Sequence, residues 1–377
     1  IFRQLISIKI NMSNDIRIKK GLDIKLNGEA EKTVERAIIS NYSTIRPEDF
    51  HGVIPKLVAK EGTLVKAGST LFFDKSQETV KFSSPVSGKV VEVLRGPKRR
   101  IDAIKIEADK TQTFEDFGKF DIDASKPEEI KAHLLASGCW PFVKQRPYDV
   151  IANPEKSPKA IFISGYASAP LAADCDYVLA GKEKELQAAV TALSKLTSGE
   201  VHVSIGKSTN SPFSGLNNIV LHKVSGPHPS GNVGTQINKI DPINKGEVVW
   251  TVSPQDLVII GELLLTGKFN AERIVALVGS SVEKPRYFKT IAGSEIATIV
   301  YDKGVSKDGN DRIISGNVLS GKQIQTDGNL DYYSNVVSII PEGDDYELFG
   351  WTKPVFNKVS TSRALTFSWL NPKKKYD

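Results

Sequence analysis

Histidines, cysteines and glycine-rich loops are where this sequence could do chemistry, and each group stops short of a recognisable machine. The five histidines, His51, His133, His202, His222 and His228, fall at no spacing that would gather metal ligands. Cys139 and Cys175 are too few for a disulfide framework and form no C-x-x-C pair, so no metal is expected and a reducing compartment fits. A nucleophilic triad needs a serine on a strained turn, and no such serine is evident. GKST at 206–209 mimics the end of a phosphate loop, but the glycine required five positions earlier is Val201. After the strand-like AIFIS comes SGYASAPLAADCD, with Gly165 alone and Pro170 in the turn. It is not the G-x-G-x-x-G that lets backbone amides reach a pyrophosphate. No independent catalytic residues and no metal or cofactor ligands are expected.

What remains are candidate contact residues. His228 stands in Gly226-Pro227-His228-Pro229, a rigid turn where an imidazole nitrogen could bond a ligand's carbonyl or a neighbouring subunit, although any proline-rich loop is equally restrained. Beyond Pro229, Gly231, Gly234 and Thr235 could offer backbone amides. Trp140 and Phe142 form an aromatic pair that either packs on a partner or ring or simply fills the core. His202 and His222 fall in strand-like runs and read as satisfied structural residues.

The elements that must position these residues change along the chain. Between 56 and 107, valine-rich alternation is broken by Glu61-Gly62, Ala67-Gly68, Pro85 and Gly88, the pattern of a small all-β module. EGTLVKAGSTLFF followed by SSPVSGKVVEV resembles the biotinyl/lipoyl-carrier family, in which two hairpins form a flattened barrel. Eight residues before Pro85, where that family carries its modifiable lysine, stands Gln77, flanked out of register by Lys75 and Lys81. A scaffold is expected there, not a carrier. DASKPEEIKAHLLASG predicts a three-turn helix with Ser125 as N-cap, Pro127 at the start, Glu128 and Glu129 in the first turn and Gly138 as the stop. From 160 to about 260, AIFIS and EVHVSIG frame the helical GKEKELQAAVTALSKL. The apolar runs NNIVLHKV and EVVWTVSPQDLVIIGELLLTG follow, giving a Rossmann-like α/β pattern with parallel strands that lacks the dinucleotide fingerprint. ALVGSSVEKPRYFKTIAGSEI then resembles the soluble-ligand-binding β-grasp (SLBB) family.

At 377 residues, with 40% hydrophobic and 25% charged residues, the chain is a multidomain globular protein, and no run approaches the roughly 18 to 20 apolar residues of a bilayer span. A net charge of +6 is modest. Lys98–Arg100 and Lys373–Lys375 could meet phosphates or an anionic membrane surface, or be solvated loop charge. Aromatic residues do not interleave with them, so nucleic acid is not an expected partner.

Four longer stretches carry a resemblance over the whole chain from Met12: IKKGLDIKLNG, SGPHPSGNVGTQI at 225–237, RIISGNVLSGKQI at 312–324 and VVSIIPEGDDYELFGW at 336–351. With the domain order, they resemble the A subunits of sodium-translocating NADH:quinone reductases, a family related to the C subunit of the Rnf complex and to the flavin-bearing subunit of complex I. Met12 is the only methionine, so residues 1–11 read as an upstream or engineered extension; the resemblance and the patterning together give a β-rich biotinyl/lipoyl-like domain at 12–110, a Rossmann-like α/β domain at 111–259, an SLBB-like domain at 260–331, and at 332–377 the start of a truncated C-terminal region. The resemblance further implies a peripheral subunit on the cytoplasmic face of the bacterial inner membrane that docks on membrane subunits. Flavins, an iron centre, NADH and the sodium path would lie on those partners, and ubiquinone could touch Trp140, Phe142, His228, Pro229, Gly231, Gly234 or Thr235. In flavin-bearing relatives a glycine-rich loop surrounds the flavin; here SGCWPFVKQRP puts a bulky wall in its place. The competing readings are a soluble flavin-dependent NADH dehydrogenase of the complex I/Rnf type and a non-redox scaffold.

Overall fold

β-branched runs build the centre of the molecule. Ile161–Ser164, Val201–Ile205, Val220–Ser225 and Val249–Thr251 are four parallel strands with apolar residues on both faces, as strands covered by helices on both sides must be. They lie in the order 220–225, 201–205, 161–164, 249–251, so the chain reverses its direction of travel across the sheet between 161–164 and 249–251. Asn14–Arg17 adds a fifth parallel strand beside 220–225, and Lys144–Arg146 with Val150–Ile151 adds an antiparallel pair beside 249–251. The computed structural model describes residues 14–300 except 39 and 209, and 310–377 except 345, 355, 357, 359, 361–364, 366 and 371–373. Residues 1–11, read above as an extension, lie outside the described residues.

Helices Glu183–Ser194 and Pro254–Thr266 pack on one face of this sheet; Val233–Ile240 covers the other, with Ile237 against Phe162 and Val249. Gly261 makes the close helix pair possible: a Cβ there would stand 1.9 Å from the Glu185 carbonyl oxygen. By sequence, 254–266 falls inside an apolar run that continues a strand. In the structure the strand stops at Thr251, Ser253 caps the helix by accepting from the Asp256 amide, and Pro254 takes the first helical position. The expected helix near 127 is present as Pro127–Ser137 and ends at Gly138 in the left-handed conformation. Its N-cap is Lys126 and not Ser125: the Ser125 hydroxyl is taken by the Asp121 carbonyl, while Glu129 turns back to the Lys126 amide at 2.8 Å.

Two further units flank the parallel sheet. The hairpins Thr70–Asp74/Gln77–Ser83 and Gly88–Arg95/Ile101–Ala108 belong to a three- and a four-stranded sheet closed over Leu71, Phe72, Phe82, Val90 and Ile104. The first hairpin turns at Lys75–Ser76, and Asp74 locks the turn by accepting from the Ser76 amide at 3.0 Å and hydroxyl at 2.8 Å. The other unit is a mixed six-stranded sheet in the order Lys322–Ile324, Asp311–Ser315, Val336–Pro341, Glu272–Val278, Arg286–Ile291, Glu31–Arg36. The chain therefore threads one strand into each of the other sheets before its barrel begins. Phe50, Phe82, Phe142 and Tyr332, drawn from all three units, form one aromatic seam, with Phe50–Phe82 centroids 4.4 Å apart and Phe142–Tyr332 5.6 Å apart.

Candidate functional site

In a parallel sheet the space outside the carboxyl ends of the strands, where the strand order reverses, is a natural crevice. Here that crevice is a cleft of about 650 Å³ between Ser164, which ends one strand, and Thr251, which ends the other. Helices 233–240 and 254–266 both begin at its edge. Asn232, the N-cap of the shorter helix, makes no side-chain cap, whereas Ser253 caps the longer one. Ser164 Oγ accepts from Gln236 Nε2 at 2.9 Å and lies 2.9 Å from the Gly231 carbonyl, tying strand end, loop and helix together.

The aromatic seam supplies the opposite wall. Phe142, on the short turn Trp140–Phe142, stacks at 6.3 Å on Phe269 and lines the cleft while remaining almost wholly buried. Tyr333 donates its hydroxyl to the Pro141 carbonyl at 2.7 Å, and Lys144 Nζ sits 3.8 Å from its ring centroid, a cation–π contact. Arg146 reaches Asp149 at 3.3 Å. On the floor, Asp256 is sealed against Arg273 at 3.0 Å, both side chains almost wholly removed from solvent. Lys144, Gly231, Asn232 and Tyr333 also line a neighbouring cleft of about 550 Å³, whose far side is Ser315–Asn317, Gly321 and Lys322. Behind this second cleft, the Tyr332 amide donates to Asp49 at 3.1 Å; burial, reinforced by nearby Asp331, pushes the Asp49 carboxyl up to about 7.

Of the residues singled out from the sequence, Phe142, Gly231, Gly234 and Thr235 meet at the first cleft. Trp140 does not reach it. Its ring is fully buried edge-to-face with Trp250 at 5.3 Å, and its Nε1 donates to the Ala152 carbonyl at 2.7 Å. His228 and Pro229 form the turn behind the cleft: His228 Nδ1 lies 3.1 Å from Ser168 Oγ, and its amide donates to Asp23 at 2.9 Å. Ser168 Oγ in turn accepts from the Gly231 amide at 2.7 Å, so its proton is free for His228 and the turn fixes the loop. Only glycine fits at 231, because a Cβ would come within 2.4 Å of the Ser168 nitrogen. His202 and His222 face each other across neighbouring strands, Nδ1 to Nε2 at 3.1 Å, and among the described residues no group of three or more His, Cys, Asp or Glu side chains is placed to hold a metal.

Sequence reasoning missed Lys144, Arg146, Asn232, Asp256 and Tyr333. Ser253-Pro254-Gln255-Asp256 is a helix-start signature that could have flagged Asp256. Tyr333 carries no such signal, since it arrives from a loop far along the chain.

Fold and cleft together define a class: a multi-unit α/β protein with a polar cleft at its strand ends and no glycine loop to grip a phosphate. Family comparisons resolve the class. Residues 16–109 match the NqrA N-terminal barrel-sandwich hybrid domain, 125–269 the NqrA second alpha/beta domain and 274–326 the NQRA C-terminal domain. The Na(+)-translocating NADH-quinone reductase A subunit of Neisseria meningitidis serogroup A is 36% identical over 95% of this chain and 80% of its own length. That of Yersinia pestis is 35% identical over 93% and 78%, and that of Photorhabdus laumondii 34% over 95% and 80%. The chain belongs to the family of A subunits of Na(+)-translocating NADH-quinone reductase. A solved NAD+-reducing [NiFe]-hydrogenase chain aligns at a TM-score of 0.36 and 10% identity over 49% of this chain and 41% of that one, a likeness too slight to bear on function.

Proposed function

We propose that this chain is the peripheral subunit of a sodium-translocating NADH:quinone reductase, held at the cytoplasmic face of the bacterial inner membrane by docking on membrane subunits. Identity above one third across almost the entire chain, with all three domains matched in order, carries this reading. No helix among the described residues is long and apolar enough to cross a membrane, so the sodium path is assigned to partners. Flavins, the iron centre and NADH are assigned to partners as well. The domain reading is a biotinyl/lipoyl-like module, a doubly wound Rossmann-like unit without its fingerprint and a β-grasp unit.

The cleft at the strand ends is the surface on which a ubiquinone head would meet this subunit. Phe142 and Tyr333 line it with aromatic surface, while Lys144 and the Gly234 amide at the uncapped helix start offer donors to quinone carbonyls. Trp140 anchors the turn that carries Phe142 through its bond to Ala152, and the His228–Pro229 turn holds Gly231 in place. The test is affinity purification of the tagged chain from detergent-solubilised membranes. Recovery with membrane-embedded partners and NADH:quinone reductase activity is expected; recovery of the chain alone, with a flavin of its own, would favour the soluble dehydrogenase instead.

A further inference from the structure

Lys144 stands opposite Thr251 in the antiparallel pair beside the parallel sheet, so strand register sets it at the strand end that borders the cleft. Side chains alternate along a strand: Lys144 and Arg146 both line the cleft, while Gln145 between them is buried and accepts from the Asn153 amide at 3.4 Å. The two cations are not equivalent. Arg146 is ion-paired to Asp149, whereas no carboxylate among the described residues pairs with Lys144. The Lys144 ammonium lies 3.8 Å from the centroid of the Tyr333 ring, half-buried, at the wall that the two clefts share.

Lys144, Arg146, Asp149 and Asp256 line the cleft and Arg273 lies against Asp256, so three cations meet two carboxylates. Pairing cancels Arg146 with Asp149 and Arg273 with Asp256, and the charge of Lys144 is left over. The Gly234 amide, at the helix start that Asn232 does not cap, adds a second donor. The neighbouring cleft offers Lys144 no ready partner. Lys322 is paired with Glu48, and Asp331, whose amide donates to Ser315 at 3.1 Å, is held above the ordinary carboxylate range by burial.

An unpaired ammonium in a cleft partly shielded from water lacks its compensating charge. A neutral quinone brings only the lone pairs of its carbonyls. Reduction places negative charge on those same oxygens until protons follow, and a donor fixed where charge develops acts most strongly at that moment.

We infer that the strand-end cleft is built for the anionic, reduced form of its quinone: Lys144 meets a ring oxygen that carries negative charge, and an oxyanion-bearing ring binds more tightly than a neutral one. This deepens the reading of the cleft as a quinone site and rests on it.

The full chain is titrated calorimetrically at neutral pH with two rings of one size: lawsone, a hydroxynaphthoquinone whose hydroxyl is ionised there, and its neutral methyl ether. The anion is expected to bind on the order of tenfold more tightly than the ether, the difference between a charged and a neutral hydrogen bond. Raised salt should weaken the anion alone, and this is read on the parent without any variant. Lys144→Met, which keeps the stem and removes the charge, should bring the two affinities together, and Lys144→Arg should restore the preference. Lys322→Met, in the neighbouring cleft, should leave it unchanged. Equal affinity of the parent for the two rings, or a preference that survives in Lys144→Met, overturns the inference and leaves a quinone site in place. Heat from neither ring overturns both.

Discussion

The aromatic seam and the 346–351 lobe beyond strand Val336–Pro341 use the same residue types to opposite ends. In the seam, Phe50, Phe72, Phe82, Phe142 and Tyr332 are sealed, and polar tips beside them are satisfied, as Trp140 Nε1 is by Ala152 and the Tyr333 hydroxyl by Pro141. In the lobe, the described side chains of Tyr346, Phe349 and Trp351 are each more than half exposed. Burial makes an aromatic residue a stability element; exposure leaves its transfer free energy available for a partner. The cleft lies where the seam meets the strand ends, so buried packing backs its walls.

Substitutions should separate the two regions by size of effect. Phe142→Ala removes a ring held between Phe269 and Tyr332 and should cost about 3–5 kcal/mol, read as a lower urea midpoint. Next, Asp256→Asn strands the Arg273 guanidinium in a nearly water-free site and should cost about 3 kcal/mol by the same assay; an unchanged midpoint would mean that the floor of the cleft admits water.

The third effect depends on pH. Burial, with help from His202, holds the His222 imidazole down at about 4, against 6.5 in the unfolded chain. As pH falls below 6.5 the unfolded chain binds the proton first, so this contribution is intact above 6.5 and fades toward pH 4, a change of about 3 kcal/mol. His222→Gln, compared with the parent at pH 7 and pH 5, should remove that part of the slope. Smallest of all, Trp351→Ala should move folding stability by less than about 0.5 kcal/mol. A large loss there would show the lobe to be part of the core and erase the contrast with the seam.

The parallel strands and the helix at 183–194 were legible because apolar runs and a helical period alternate there without ambiguity. Helix 254–266 was not. Leu257, Ile259, Ile260, Leu263 and Leu264 are all buried, so its apolar residues do not trace one face and its helical signature is blurred. The short helix at 233–240 hides in a Pro- and Gly-rich loop. Asn14–Arg17 and Glu31–Arg36 pair with strands more than two hundred residues away, a tertiary choice that no local pattern announces. The same limit governs the cleft: Gly231, Gly234 and Thr235 could be picked from an odd loop, but Tyr333 joins them only through the fold. His228, chosen for its rigid turn, proves to brace that loop from behind.

The central claim, that the strand-end cleft receives a quinone head, is tested most directly by calorimetric titration of the chain with a short-tailed ubiquinone analogue, beside Gly234→Leu. Gly234 lines the cleft and a Cβ there meets nothing within 4 Å, so the first carbon of the added side chain enters open space. Saturable heat in the parent that is lost in the variant is the predicted result. Equal binding by both proteins, or no heat from the parent, would contradict it.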